Sequence, residues 1–268
     1  MNFTAQDVKA LREKTGVGMM ECKKALTEAD GDMDKAIDYL RERGLAAAQK
    51  KAARIAAEGI VLSYADDAAK KGVVIEVNSE TDFVAKNDKF VQFVTDCAKT
   101  IVATGVKTVE ELTAAEYMGT GRTVSETLND LILAIGENMK IRRFEVMEGL
   151  LATYVHAGGS VGVMVGFDAA DESKAATAEF KDMGKNVAMQ IAAMNPPYLD
   201  EASVPADVIA HEKSILASQM KEDPKMASKP EAVLEKIAAG KMGKYYKENC
   251  LVDQEFVRGD LYDGNVKG

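Results

Sequence analysis

The hydrophobic period of the chain changes between Ala57 and Gly59, and that change restricts the class of fold more than any other feature. Up to Ala57 the apolar residues recur at helical spacing; from Gly59 they alternate, as GIVLSY, a DDAAKKG turn and GVVIEVNS. Alternation puts successive side chains on opposite faces of a strand, whereas spacings of three and four stack them along one helix face. GIVLSY and GVVIEVNS therefore read as an antiparallel strand pair. Further strands are predicted over KIRRFEVMEG, LLATYVHAG and SVGVMVGFDA. Helices are predicted through Phe90, Val94, Cys97 and Ile101 and over Val124 to Asn138. Helices first and then a strand and helix mixture make an α+β chain, without the strict alternation of a doubly wound sheet.

The N-terminal helices can be placed from their caps. Thr4, with Asp7 three residues on, makes a capping-box-like start, and Val8 and Leu11 form an apolar face up to Thr15-Gly16. After GVG, the residues Met19, Met20, Cys22, Ala25, Leu26 and Ala29 form a second stripe, ended by Asp30-Gly31. Asp32 caps a third helix with Met33, Ala36, Ile37 and Leu40 on one face, and Gly44 is expected to stop it. LAAAQKKAARIAA then reads as a helical connector. Toward the other end, an amphipathic helix is predicted from roughly Glu172 to Met194, stopped by Asn195-Pro196-Pro197. Val208, Ile209, Ile215 and Leu216, and after KEDPKMASKP the residues Leu234, Ile237, Ala238 and Tyr245, predict two helices in an antiparallel hairpin. The expected domains are 1–54 (three helices and connector), 55–147 (a first α+β subdomain) and 148–268 (a second, with the hairpin at about 205–249).

Composition excludes several function classes. The 268 residues are 47% hydrophobic and 29% charged, as in an ordinary globular protein with more than one core. A net charge of −9 argues against a chain that grips nucleic acid, because such grip comes from clustered Lys and Arg. Cys22, Cys97 and Cys250 are odd in number and fit no metal-ligand spacing, which suits free thiols in a reducing, cytoplasmic setting. No apolar run approaches the roughly 18 residues of a membrane span. GxxxxGK[ST], HExxH and GxSxG are absent, and the two histidines, His156 and His211, fall in different predicted elements. Cys97 lies on an apolar stripe, where a thiol is inert. The chain is thus predicted to do no covalent catalysis and to need no cofactor or metal.

Four segments then stand out: TGVGMMECKKAL (Thr15 to Leu26), ETDFVAKND (Glu80 to Asp88), IGENMKIRR (Ile135 to Arg143) and YVHAGGSVGV (Tyr154 to Val163). In that order they resemble the elongation factor Ts family, the guanine nucleotide exchange factors for elongation factor Tu. The resemblance implies a ubiquitin-associated-like three-helix domain and a core of two α+β subdomains with antiparallel sheets. It also implies a protruding coiled-coil hairpin. The implied partner is elongation factor Tu, GDP-bound and nucleotide-free, with a homodimer or 2:2 complex through the coiled coil. In the family a TDFV motif, here Thr81, Asp82, Phe83 and Val84, contacts the GTPase near its magnesium and phosphate site, and the aromatic ring wedges between helices of the partner. By the same likeness Lys23 touches the nucleotide-binding domain, Ile135 and Gly136 help the core engage it, and His156 meets a different domain. Phe256 and Val257 fall in a C-terminal module that helps hold the GTPase, and longer members continue past it into a further helix and a closing strand.

Without the likeness these residues have plainer roles. Lys23 is a solvated helix lysine, Ile135-Gly136 a helix end with a left-handed glycine, and Tyr154 to Gly159 a strand running into a turn. Phe83 has two readings. It stands seven residues before Phe90, so it joins the core stripe if one helix starts at Thr81; if Asn87 is the cap, it lies outside and projects. The resemblance implies projection, with Asp82 and Phe83 accessible at the tip of the first subdomain. An adaptor built on the three-helix domain and the hairpin is the alternative function, and it predicts binding with no change in nucleotide release. A small-molecule enzyme with an unrecognised site predicts a deep pocket instead.

Overall fold

The computed structural model describes residues 2–170, 173, 176–223 and 229–268, which fall into two units, Met1–Lys185 and Asn186–Gly268. In the first unit α1 (Ala5–Thr15), α2 (Met19–Glu28) and α3 (Met33–Lys51) come first. The Thr4 hydroxyl accepts the Asp7 N–H and the Asp7 carboxylate accepts the Thr4 N–H, the reciprocal capping box that the sequence announces. Leu11, Cys22, Ala25, Leu26 and Ala36 are fully buried at the centre of the bundle.

Gly44 does not stop the third helix. The α3 helix runs through it to Lys51 and takes in half of the expected connector. The reason is a close approach: a Cβ at Gly44 would lie 3.2 Å from the Asn129 carbonyl oxygen on α7 (Val124–Ile135). Without a side chain at that point α3 lies directly against α7, where Leu133 packs on the bundle core and Ala48 packs on the core of the sheet. Tertiary packing thus overrides the local weakness of glycine in a helix.

The strands β1 (Glu58–Asp66), β2 (Lys71–Ser79) and β3 (Met139–Glu148) form one antiparallel sheet in the order β1-β2-β3, with Ile60 opposite Val77 and Ile75 opposite Phe144. Val73, Ile75 and Val77 on β2 are fully buried, as the alternating pattern requires. They meet Phe90, Val94, Cys97 and Ile101 of α5 (Asp88–Thr104) in a single core cluster. Between β2 and α5 lies a one-turn helix, α4 (Asp82–Ala85). A short α6 (Val109–Ala114), capped by Thr108, was not anticipated by the periodicity. The strands β4 (Leu150–His156) and β5 (Val161–Phe167) pair antiparallel, with Tyr154 opposite Val163.

The α8 helix (Ala178–Met194) begins later than the sequence suggested, and residues 172, 174 and 175 of that expectation lie outside the described residues. In the second unit α9 (Ala206–Glu222) and α10 (Glu231–Asn249) line one groove with Leu216 and Met220 on one side and Ala238 and Met242 on the other. The expected turn between them includes residues 224–228, which are outside the described residues. No helix among the described residues is long and apolar enough to cross a membrane.

A buried amide network organises the C-terminal segment of this unit. The Gln190 amide donates to Gln254 Oε1 and to the Glu255 carbonyl, both at 3.1 Å, and its oxygen accepts the Val257 N–H at 2.7 Å. The Gln254 amide in turn donates to the Glu248 carbonyl at 3.0 Å. Gln190→Leu keeps the volume and strands these groups, so it is expected to cost about 1–3 kcal/mol, read from the urea midpoint. An unchanged midpoint would show that the stranded groups find other partners.

Candidate functional site

Two successive caps decide the geometry around Phe83. The Thr81 hydroxyl accepts the Val84 N–H at 3.4 Å and starts α4, and Asn87 Oδ1 accepts the Lys89 N–H at 3.0 Å and starts α5. What periodicity allowed as one continuous helix is therefore split in two. Val84 is 6% exposed and joins the sheet core with Ala85, while Phe83 is 81% exposed. The buried neighbours anchor the turn, and the ring stands in solvent. Asp82 is exposed beside it and accepts from Lys86 Nζ at 2.8 Å. The Lys86 ammonium holds the Asp82 carboxyl below the usual carboxylate range, and Asp82 in turn raises the Lys86 ammonium. Both stay charged at neutral pH.

The end of α7 sits beside this tip. The Thr81 N–H donates to Glu137 Oε2 at 3.1 Å, which links the cap of α4 to the residue after Gly136. Ile135 is the last residue of α7 and half-buried; Gly136 is the exposed cap at φ 90°, where a side chain would be strained. Lys23 is exposed on α2, and its backbone carbonyl accepts the Thr27 hydroxyl. The loop before α2 is tied to the start of α5 by Lys89 Nζ, which donates to the Gly16 carbonyl at 3.2 Å. His156 is exposed at the end of β4, with Nδ1 2.9 Å from the Tyr154 hydroxyl, ahead of a tight turn at Gly158 and Gly159. The geometry thus ties Thr81, the cap of α4, to Glu137 just after Ile135 and Gly136, and places Lys23 and His156 on other elements of the same unit. Val257 lies in the second unit, 39% exposed and held by Gln190.

Among the described residues no group of three or more His, Cys, Asp or Glu is arranged to hold a metal ion. Burial pushes the Cys97 thiol far above its ordinary range, so it carries no thiolate at neutral pH. Phe83 instead presents an exposed aromatic ring on an anchored turn.

A family model described as Elongation factor TS matches residues 80–262. The chain belongs to the elongation factor Ts family. Among similar proteins, elongation factor Ts of Clostridium kluyveri is 49% identical over 260 residues, which cover 96% of this chain and 82% of that protein. Elongation factor Ts of Magnetococcus marinus is 46% identical over 260 residues with the same coverage, and that of Halothermothrix orenii is 45% identical over 265 residues, 96% of this chain and 84% of its own length. As a member of the elongation factor Ts family the chain is a translation elongation factor. The family match begins at Glu80, so Thr81 to Val84, Ile135, Gly136, His156 and Val257 lie inside it and Lys23 lies before it. The elongation factor Ts motifs quoted from the sequence also contain Glu80, Lys86, Glu137 and Asn138, which sequence reasoning passed over. The only signal for them was that they stand inside those motifs next to residues already singled out.

Proposed function

We propose that this chain is the guanine nucleotide exchange factor of elongation factor Tu, and that Phe83 is the side chain that opens the nucleotide site. The chain binds the GDP-loaded GTPase, and its α4 tip enters near the magnesium and phosphate groups. The Phe83 ring inserts between helices of the partner, the bound ion loses its place, and GDP leaves so that GTP can reload. The observation that carries this is the 81% exposure of Phe83 on a turn whose next residue is buried.

The energetics require more than one residue. An exchange factor makes and breaks no covalent bond; it binds the nucleotide-free GTPase better than the loaded one, and linkage makes it weaken nucleotide binding by the same factor. Burying one Phe ring contributes roughly 1.5 to 3 kcal/mol, or about 10- to 150-fold in an equilibrium. A tightly held nucleotide needs a larger effect, so Lys23, Ile135, Gly136, His156 and Val257 supply the remaining contacts. Asp82 brings a carboxylate toward a strongly charged locality and exchanges its bond with Lys86 for the partner's groups. The α9 and α10 helices serve self-association in a homodimer or 2:2 complex.

The test is stopped-flow release of labelled GDP from elongation factor Tu, with and without this protein. Release is expected to accelerate with protein concentration and to saturate. Binding to elongation factor Tu with unchanged GDP release would make the chain an adaptor.

A further inference from the structure

The segments on either side of the tip hold each other by exchanged carboxylates. Glu137 accepts from Thr81 twice, from the N–H at 3.1 Å and from the hydroxyl at 2.8 Å. In return Glu80 accepts the Asn138 N–H at 2.5 Å. The Asn138 side-chain amide reaches the Arg54 carbonyl at 2.8 Å, and the Arg54 guanidinium lies 3.4 Å from Glu80, which draws the chain after α3 into the same ring. The Ser79 hydroxyl donates to the Thr81 carbonyl at 3.0 Å and steadies the turn from below. Glu80 and Glu137 are both half-buried and Asn138 is buried, so these charge-assisted bonds are shielded from competing water.

The consequence concerns α4. A four-residue helix has no stability of its own, because nucleating a turn costs more than its few bonds return. A threonine hydroxyl has one hydrogen and two lone pairs. Giving that hydrogen to Glu137 turns the oxygen's lone pairs toward the Val84 N–H, which is the bond that caps α4. The orientation of Phe83 is therefore fixed from a residue 56 positions away in sequence.

We propose that Glu137, with Glu80 as its reciprocal partner, is a positioning residue for nucleotide exchange. It locks α4 with Phe83 outward and rigidly joins that turn to Ile135 and Gly136, so the two contacts meet the GTPase as one preformed surface. This rests on the exchange function proposed above. Without the lock the tip must be ordered during binding, and that ordering opposes exchange.

The experiment measures GDP release from elongation factor Tu with the full chain and four variants. Glu137→Ala is expected to slow release about tenfold, the loss from ordering one turn at the moment of binding. Glu137→Gln, which turns an NH2 toward one of the two Thr81 donors and loses the charge, falls between. The decisive readout is the double variant: in a Phe83→Ala background, Glu137→Ala should add less than about twofold, since a lock has no effect once the ring is gone. Equal losses from Glu137→Ala in both backgrounds would assign Glu137 a merely structural role and overturn the proposal. A normal rate for Glu137→Ala beside a slow Phe83→Ala would overturn the lock and leave the wedge standing. A normal rate for Phe83→Ala alone would overturn the wedge, and the lock with it. If Glu137→Ala melts early, the near-isosteric Glu137→Gln carries the same comparison.

Discussion

Phe83→Ala is expected to slow GDP release from elongation factor Tu by about 10- to 100-fold while leaving the chain's melting temperature unchanged. The ring is 81% exposed in the free protein, so removing it empties no cavity and uncovers no core. The whole of its contribution appears only against the partner. Affinity for the nucleotide-free GTPase should fall less than the exchange rate, because the other contacts persist and only the step that distorts the ion site loses its driving group. Stopped-flow release with the variant, alongside a thermal melt, separates the two effects. Release at the normal rate would remove Phe83 from the mechanism altogether.

Phe90→Ala should behave in the opposite way. Phe90 is fully buried beside Val94 and Cys97, in the cluster that joins α5 to β2. Truncation there leaves a cavity among side chains held by a sheet on one side and helices on the other, which collapse poorly around it. The expected cost is about 3–5 kcal/mol, read as a shift in the urea midpoint with the slope of the transition preserved. Exchange by the fraction that remains folded should be close to normal, because α4 and the Gly136 turn keep their own bonds. A loss below about 1 kcal/mol would mean that the core repacks around the missing ring. Two phenylalanines seven residues apart thus differ in place: Phe83 stands in solvent and Phe90 holds the core.

That contrast also marks where the sequence was informative and where it stopped. The period change at Gly59, the Thr4 capping box and the stripe from Phe90 to Ile101 each depend on neighbours within a few residues, and the structure follows them closely. Phe83 was undecided because helical phase is continuous across Thr81 to Ile101, while the two caps that break it are single hydrogen bonds. Gly44 misled for another reason. Glycine marks both helix ends and close helix contacts, and only the presence of α7 beside it distinguishes them. The exchange between Glu80 and Glu137 had no local signature, since each acid finds its acceptor role in a segment more than fifty residues distant. The residues singled out by likeness could be named from the sequence; the bonds that hold the turn around Phe83 became visible only in the structure.

The continuous α3 helix gives the first unit a particular kind of stability. Leu40 belongs to the bundle core, and Ala48, two turns on, packs against the core of the sheet. One rod is therefore shared by two hydrophobic interiors. Opening the bundle strips cover from α7, and loosening α7 withdraws the floor beneath Gly44. The packing of α3 on both interiors thus couples the stability of α1 and α2 to that of α7.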